Sequence, residues 1–327
     1  MCALLASAAA AQAPSVPSPT DTAPQSQPIR VSVNRVDIGV TVTDYTGKFV
    51  EGLHRENFHI FDNGVEQPIT DFLAVEEPAQ TLLLIEAGPA VYLLEGGHLQ
   101  AAHAFLSGLS PDDHVAVAKY ADVPQGLVDF TTDKQAAAAA FSDLSFNLGF
   151  GSLNLSSSLT KVLDWLAATA GKKTIVLLST GVDTSSPQAI QDLLQRVKTS
   201  DVRILAVSLT GNLRNPPPAT KKKSPPLKAA LATQQFAEAD ALLRQIAEST
   251  GGQAYFPVTA ADLSAAFAQI AQTVRHEFSL AFAPPAQDGA VHSLEVRVIA
   301  EPASTPGPAT YRVSYRRAYV APWPTNH

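Results

Sequence analysis

The chain has little of what usually announces chemistry or anchoring. It holds a single cysteine, Cys2, so neither a disulfide framework nor a thiolate metal site can be built from it alone. No stretch of about 20 apolar residues follows the first segment, which leaves no expected transmembrane helix and no integral membrane segment. Charged residues make up only 16% of the chain and the formal net charge is −7. That balance gives no long-range attraction for nucleic acid or an anionic membrane. The catalytic words are also missing: there is no His-Glu-x-x-His, no Gly-x-Ser-x-Gly elbow and no Gly-x-x-x-x-Gly-Lys loop. His98 and His103 fall about 140° apart on a predicted helix, so they do not converge on a ligand. Asp112-Asp113-His114 reads as a turn, and Asp62-Asn63-Gly64 as a hairpin rather than a calcium loop, because the other oxygens of an EF-hand are absent.

What is present is a packed globular composition, 46% hydrophobic over 327 residues, enough for about two domains. Residues 1–13, ending Ala11-Gln12-Ala13, have the apolar, small-residue texture of a secretory signal and predict an exported protein, periplasmic or extracellular. The basic n-region is missing, so either the start lies upstream or the signal is a weak one. Residues 14–28 are a Pro/Ser-rich linker with too few large apolar groups to fold. From 29 to 77 the apolar residues alternate, as in Val31, Val33, Val36, Ile38, Val40 and Val42, and predict the first part of a β module.

After Pro78 the texture becomes strand, helix, strand. Leu82 to Ile85 and Thr174 to Leu178 are the apolar runs of strands covered on both faces, and Val115 to Tyr120 and Val202 to Leu209 are further strands. Between them come helical stripes, first Leu99, Ala102, His103 and Leu106, then Leu155, Leu159, Val162, Leu163 and Leu166, and finally Leu263, Phe267, Ile270 and Val274. This alternation over 79–275 predicts an α/β fold, a Rossmann-like, doubly wound, mostly parallel sheet. Residues 211–235, with Pro216 to Pro218 and Lys221 to Lys223, are expected to be a flexible insertion. From 276 to 320 period two returns, and these strands are expected to complete the β module.

The order of these elements, with the words VTDYTGKFVEGLHRENFHIFDNG, LSPDDHVAVAKYAD, GKKTIVLLSTGVDTSS, ALLRQIAESTGGQAYF, EFSLAFAPP and YRVSYRRAYVAP, resembles the von Willebrand factor type A (VWFA) domain family, most closely its secreted bacterial VWFA-related branch of the acidobacterial type. The resemblance implies an interaction module with a metal-ion-dependent adhesion site at the sheet's carboxyl edge, built from Asp-x-Ser-x-Ser, a later Thr and a final Asp. This sequence departs at each place. Glu86-Ala87-Gly88-Pro89-Ala90 stands where Asp-x-Ser-x-Ser belongs, Leu153 where the Thr belongs, and Thr180 where the last Asp belongs. So few oxygens do not replace the hydration of Mg²⁺, and no cofactor is expected. The expectation is a non-enzymatic module that binds a protein partner through Glu86, Gly88, Ala90, Ser152, Leu153, Thr180 and Asp183. The alternative is a Mg²⁺- or Mn²⁺-dependent adhesion site in which Ser152, Ser179 and Asp183 supply substitute ligands; a hydrolase with an unrecognised site is the third reading.

Overall fold

The computed structural model describes residues 35–74, 78–88, 97–142, 152–169, 171–211, 226–299 and 311–323. Strand β1 (Val36–Thr43) buries Val36, Ile38, Val40 and Val42, alternate residues that share one face of a strand. Strand β2 (Phe58–Asp62) turns at Asn63 and Gly64, both at positive φ (48° and 82°), into β3 (Val65–Gln67). Two left-handed residues in succession are what a two-residue hairpin with the strands' natural twist requires. Strand β4 (Asp71–Ala74) follows.

The α/β core then runs β5 (Gln80–Glu86), α1 (Gly97–Gly108), β6 (His114–Tyr120), β7 (Pro124–Thr131), α2 (Lys134–Ser142), α3 (Leu155–Ala167), β8 (Lys173–Ser179), α4 (Pro187–Lys198), β9 (Arg203–Ser208), α5 (Pro226–Ser249), β10 (Ala254–Tyr255) and α6 (Ala260–Arg275). Its sheet has the order β10-β9-β8-β5-β6-β7, parallel throughout except for β7, which pairs antiparallel with β6. Because side chains alternate across a strand, the apolar runs serve both faces. Leu83, Ile85, Val176 and Val207 pack with α1, α2 and α6. Leu82, Leu84, Ile175 and Ile204 pack with α3, α4 and α5. Each such leucine or isoleucine, fully buried, contributes about 1.5–3 kcal/mol relative to exposure. Helix starts are marked locally: Ser186 accepts the Ala189 N–H ahead of Pro187, and Thr259 with Asp262 forms a reciprocal cap for α6.

Strands β11 (Phe278–Phe282), β12 (Val291–Val298), β13 (Arg312–Ser314) and β14 (Ala318–Val320) return to the N-terminal strands. They form two antiparallel four-stranded sheets, β13-β1-β11-β4 and β14-β12-β2-β3, around one core that includes Ile38, Phe58, Ile60, Leu280, Phe282 and Val296. The β-rich module therefore joins both ends of the described chain, and the α/β core is carried between them.

Three details differ from expectation. Strand β7 was not anticipated, since Pro124–Thr131 neither alternates nor forms an apolar run. Helix α5 begins at Pro226, so residues 226–235 of the anticipated flexible insertion are helical; 212–225 lie outside the described residues. His103, placed by its spacing on the apolar stripe of α1, is exposed, while Ala102, Phe105 and Leu106 face the core. Segments 1–13 and 14–28, together with Ala90, also lie outside the described residues.

Candidate functional site

The carboxyl ends of β6, β5 and β8 lie side by side, and register sets Glu86 opposite Tyr120 on one flank and Ile85 opposite Leu178 on the other. Tyr120, Glu86, Ser179 and Thr180 thus meet at one rim, all of them buried. Glu86 Oε2 accepts four hydrogen bonds: from the Thr180 N–H (2.7 Å), the Thr180 hydroxyl (2.8 Å), the Ser179 hydroxyl (3.1 Å) and the Tyr120 phenol (3.3 Å). Among the described residues Oε1 takes only the Thr180 hydroxyl, at 3.1 Å.

The donors are themselves oriented by the turn that follows β8. The Gly181 N–H donates to Ser179 Oγ at 2.8 Å and the Val182 N–H to Thr180 Oγ1 at 3.2 Å. Each hydroxyl is an acceptor on its backbone side, which directs its own proton toward the carboxylate. Gly181 permits this turn because it sits at φ 74°, under Leu243 and the Ala239 carbonyl of α5, where a side chain has no room. The Tyr120 and Ser179 oxygens are 2.7 Å apart. Burial raises the Glu86 carboxyl above its ordinary range although the bonds from Thr180, Ser179 and Tyr120 pull the other way. Burial, then the neighbouring Glu86 charge, raises the Tyr120 phenol so that it stays a neutral donor.

The remaining expected site residues surround this knot without joining it. The Leu153 methyls lie 3.2 and 3.6 Å from where a β-carbon on Gly88 would stand, and that position is also 3.1 Å from Glu86 Oε1. A serine at 88 would meet both. Leu153 is fixed by Thr184, whose N–H donates to the Leu153 carbonyl at 2.8 Å. Ser152 is exposed. Asp183 accepts from the Ser156 N–H (2.8 Å), the Ser156 hydroxyl and the Ser185 N–H (2.9 Å), a carboxylate at the N-terminus of α3, where the helix dipole favours it. Sequence reasoning missed Tyr120 as a partner of Glu86; the signal available was that both residues end apolar runs of neighbouring strands. It also missed a second buried knot on the same side of the sheet, where Asp240 accepts from Ser208 and Thr210, both at 2.9 Å.

The sequence model of the von Willebrand factor type A domain matches residues 99–273, more than half of the 327. The chain belongs to the von Willebrand factor type A domain family. Among solved structures it is similar to a von Willebrand factor type A protein from Catenulispora acidiphila, with 12% identity over 83% of this chain and 74% of that one and a TM-score of 0.45. It is also similar to the manganese-loaded TRAP protein of Plasmodium vivax, with 13% identity, 78% and 96% covered and a TM-score of 0.42. A third is the vWF domain of the type V pili tip protein Mfa5 from Porphyromonas gingivalis, with 17% identity, 62% and 96% covered and a TM-score of 0.36. No curated protein matches the chain.

The type A family implies a divalent cation at this rim, and the residues present do not fit one. A small dication needs about six oxygens in octahedral array with lone pairs free for it. Here the Glu86 carboxylate already accepts bonds on both oxygens, its nearest partners are hydroxyls and an N–H, and the Leu153 methyls lie against Gly88 beside it. Among the described residues no three His, Cys, Asp or Glu side chains gather where they could hold a metal ion. The extra methylene of Glu86 lets its carboxylate reach Thr180 directly, so that a hydrogen-bonded bridge joins β5 to the turn after β8.

Proposed function

We propose that this protein is an exported, non-enzymatic interaction module of the type A family, of the secreted bacterial VWFA-related branch, which recognises a protein partner through its carboxyl rim by shape and charge without a bridging metal. One observation carries the reading: the Glu86 carboxylate is held by donors from Thr180, Ser179 and Tyr120. A partner's acidic group thus meets no open coordination position. Gly88, Leu153 and Thr180, with Ser152 and Asp183 beside them, offer an apolar centre with a polar border, the composition that suits protein contacts. Export rests on the texture of residues 1–13, and the absence of a nucleic-acid partner on the net charge of −7. Among the described residues no helix is long and apolar enough to cross a membrane. The division into a β module of 29–77 with 276–320 and a core of 79–275 is part of the same reading.

The test has two arms. Calorimetric titration with Mg²⁺ and Mn²⁺ is expected to give no saturable heat; saturable binding that Glu86→Ala abolishes would establish the metal-dependent alternative. Capture from an envelope extract in EDTA, quantified by mass spectrometry, is expected to enrich one protein with the wild type and not with Leu153→Asp. Equal enrichment by both proteins would place the contact surface elsewhere.

A further inference from the structure

Strand β14 is only three residues long and, among the described residues, pairs with β12 alone, yet Tyr319 at its centre is fully buried. What fixes so short a strand is a set of contacts that converge on one imidazole. His292 of β12 lies opposite Tyr319 in the register and is buried. Its Nδ1 meets Asp62 Oδ1 of β2 at 2.8 Å, and its Nε2 meets Asp288 Oδ2 at 3.3 Å. Asp62 Oδ2 accepts the Tyr319 phenol at 3.1 Å, and the Tyr319 ring stands 5.3 Å from the imidazole and edge-on to Phe282.

Asp288 carries these contacts on to the residues that follow β14. Its Oδ1 accepts the Ala290 N–H at 2.8 Å, which closes a turn, and the Ala290 carbonyl accepts the Ala321 N–H at 2.8 Å. Between them Gly289 sits at φ 67°, and the Trp323 indole lies 2.4 Å from where a β-carbon on it would stand. One turn thus seats Ala321 and Trp323, and one carboxylate fixes the turn.

Both ring nitrogens of His292 face carboxylates, so only the imidazolium can donate to the two at once. A neutral ring has one proton to give. Asp62 is buried and costs more to leave without a donor, so it keeps that proton, and Nε2 then turns a lone pair toward Asp288, which is half exposed and can swing into water. The other groups packed here do not change charge near neutral pH. Burial and then the Asp62 charge hold the Tyr319 phenol neutral, Arg316 acts on that phenol from the residues ahead of β14, and β11 contributes only Phe282. Burial lowers the His292 pKa, but the two carboxylates outweigh it and leave it raised, while the Ala290 N–H holds the Asp288 carboxyl low.

We propose that His292 is a pH-sensitive clasp on the C-terminal end of the β module: protonated, it locks the Asp288 turn under Ala321 and Trp323, and neutral, it lets that turn, β14 and the residues after it loosen. The clasp lies apart from the carboxyl rim, so it holds or fails independently of the function proposed above. Hydrogen exchange of the whole chain, read by mass spectrometry as protection factors so that the intrinsic pH dependence cancels, is compared at about pH 5.5 and about pH 8.5, on either side of the imidazole titration. Peptides covering 287–292 and 318–323 are expected to lose about tenfold in protection at the higher pH, the scale of one charge-assisted bond, while those covering 175–178 and 204–207 keep theirs. Asp288→Asn presents its oxygen to the imidazolium or its amide to the neutral ring, so protection should persist at both pH values. Asp288→Ala should exchange fast at both; the half-exposed position lets either variant fold. His59→Gln, which breaks the exposed His59–Glu66 pair on the other face of β2, should leave the pH dependence intact. Protection independent of pH in the wild type, a pH dependence that survives in either Asp288 variant or vanishes in His59→Gln, or a loss shared equally by the central strands overturns the proposal.

Discussion

Replacing Glu86 by glutamine or by alanine separates the two things its carboxylate does. Alanine removes the acceptor and leaves the Thr180 N–H and three buried hydroxyls to find other partners, in a space emptied of the side chain. An orphaned buried donor costs about 1–3 kcal/mol, and with the cavity the loss should reach about 3–5 kcal/mol. Glutamine keeps the essentials. Its carbonyl can occupy the place of Oε2, where four donors converge, and its amide the place of Oε1, donating to Thr180 Oγ1 at 3.1 Å. The bonds weaken on losing the charge, yet the charge is itself disfavoured here, because burial outweighs the donors and raises the carboxyl pKa. Glu86→Gln is therefore expected within about 1 kcal/mol of the wild type at pH 7. The linkage has a definite sign. A carboxyl whose folded pKa is raised contributes stability that is full below its unfolded pKa of about 4.3 and is lost as pH rises through the folded value. Urea unfolding followed by circular dichroism from pH 4 to 8 should show that decline in the wild type and a flatter profile in Glu86→Gln. Glutamine as damaging as alanine at pH 7, or a decline left intact in the glutamine variant, would mean that the ionised form is wanted and the reasoning is wrong.

Other expectations follow from the same coordinates. Tyr120→Phe removes a phenol shared between Ser179 at 2.7 Å and Glu86 at 3.3 Å and should lower stability by about 1 kcal/mol, measured in the same unfolding assay. Gly39→Ala sets a β-carbon against the end of the Glu277 side chain, which must shift within its pairs with Lys172 and Arg203, and should cost about 1–3 kcal/mol; a variant with an unchanged melting temperature would contradict that contact. His292, buried in β12, meets Asp62 at 2.8 Å and Asp288 at 3.3 Å. Burial lowers its pKa, but the hydrogen bonds and charges of the two carboxylates outweigh this and leave it raised. Its stabilisation is full below about pH 6.5 and lost as pH rises through the folded value, so the melting temperature should fall on that limb and His292→Asn should flatten it.

The parts of the fold legible in the sequence are those where one physical requirement dominates. Strands β5, β8 and β9 are covered on both faces, so their centres, Leu82 to Ile85, Ile175 to Leu178 and Ile204 to Val207, carry only apolar side chains. The hairpin at Asn63-Gly64 declares itself because few residues accept two positive φ angles in succession. Strand β7 does not, since an edge strand whose residues are mostly half-buried or exposed needs neither alternation nor an apolar run. At the rim, the departures at Glu86, Leu153 and Thr180 were visible as residue types. That Glu86 spans to Thr180, and that Tyr120 joins it, depends on strand order and register, which no local pattern carries.

Because β1 pairs with both β11 and β13, while β12 joins β2 to β14, the two ends of the described chain are laced into the same module. A tug between residues 35 and 323 then loads those ladders first, and the central sheet between them stays slack until they part. The rim at Glu86 would keep its shape while the molecule is pulled.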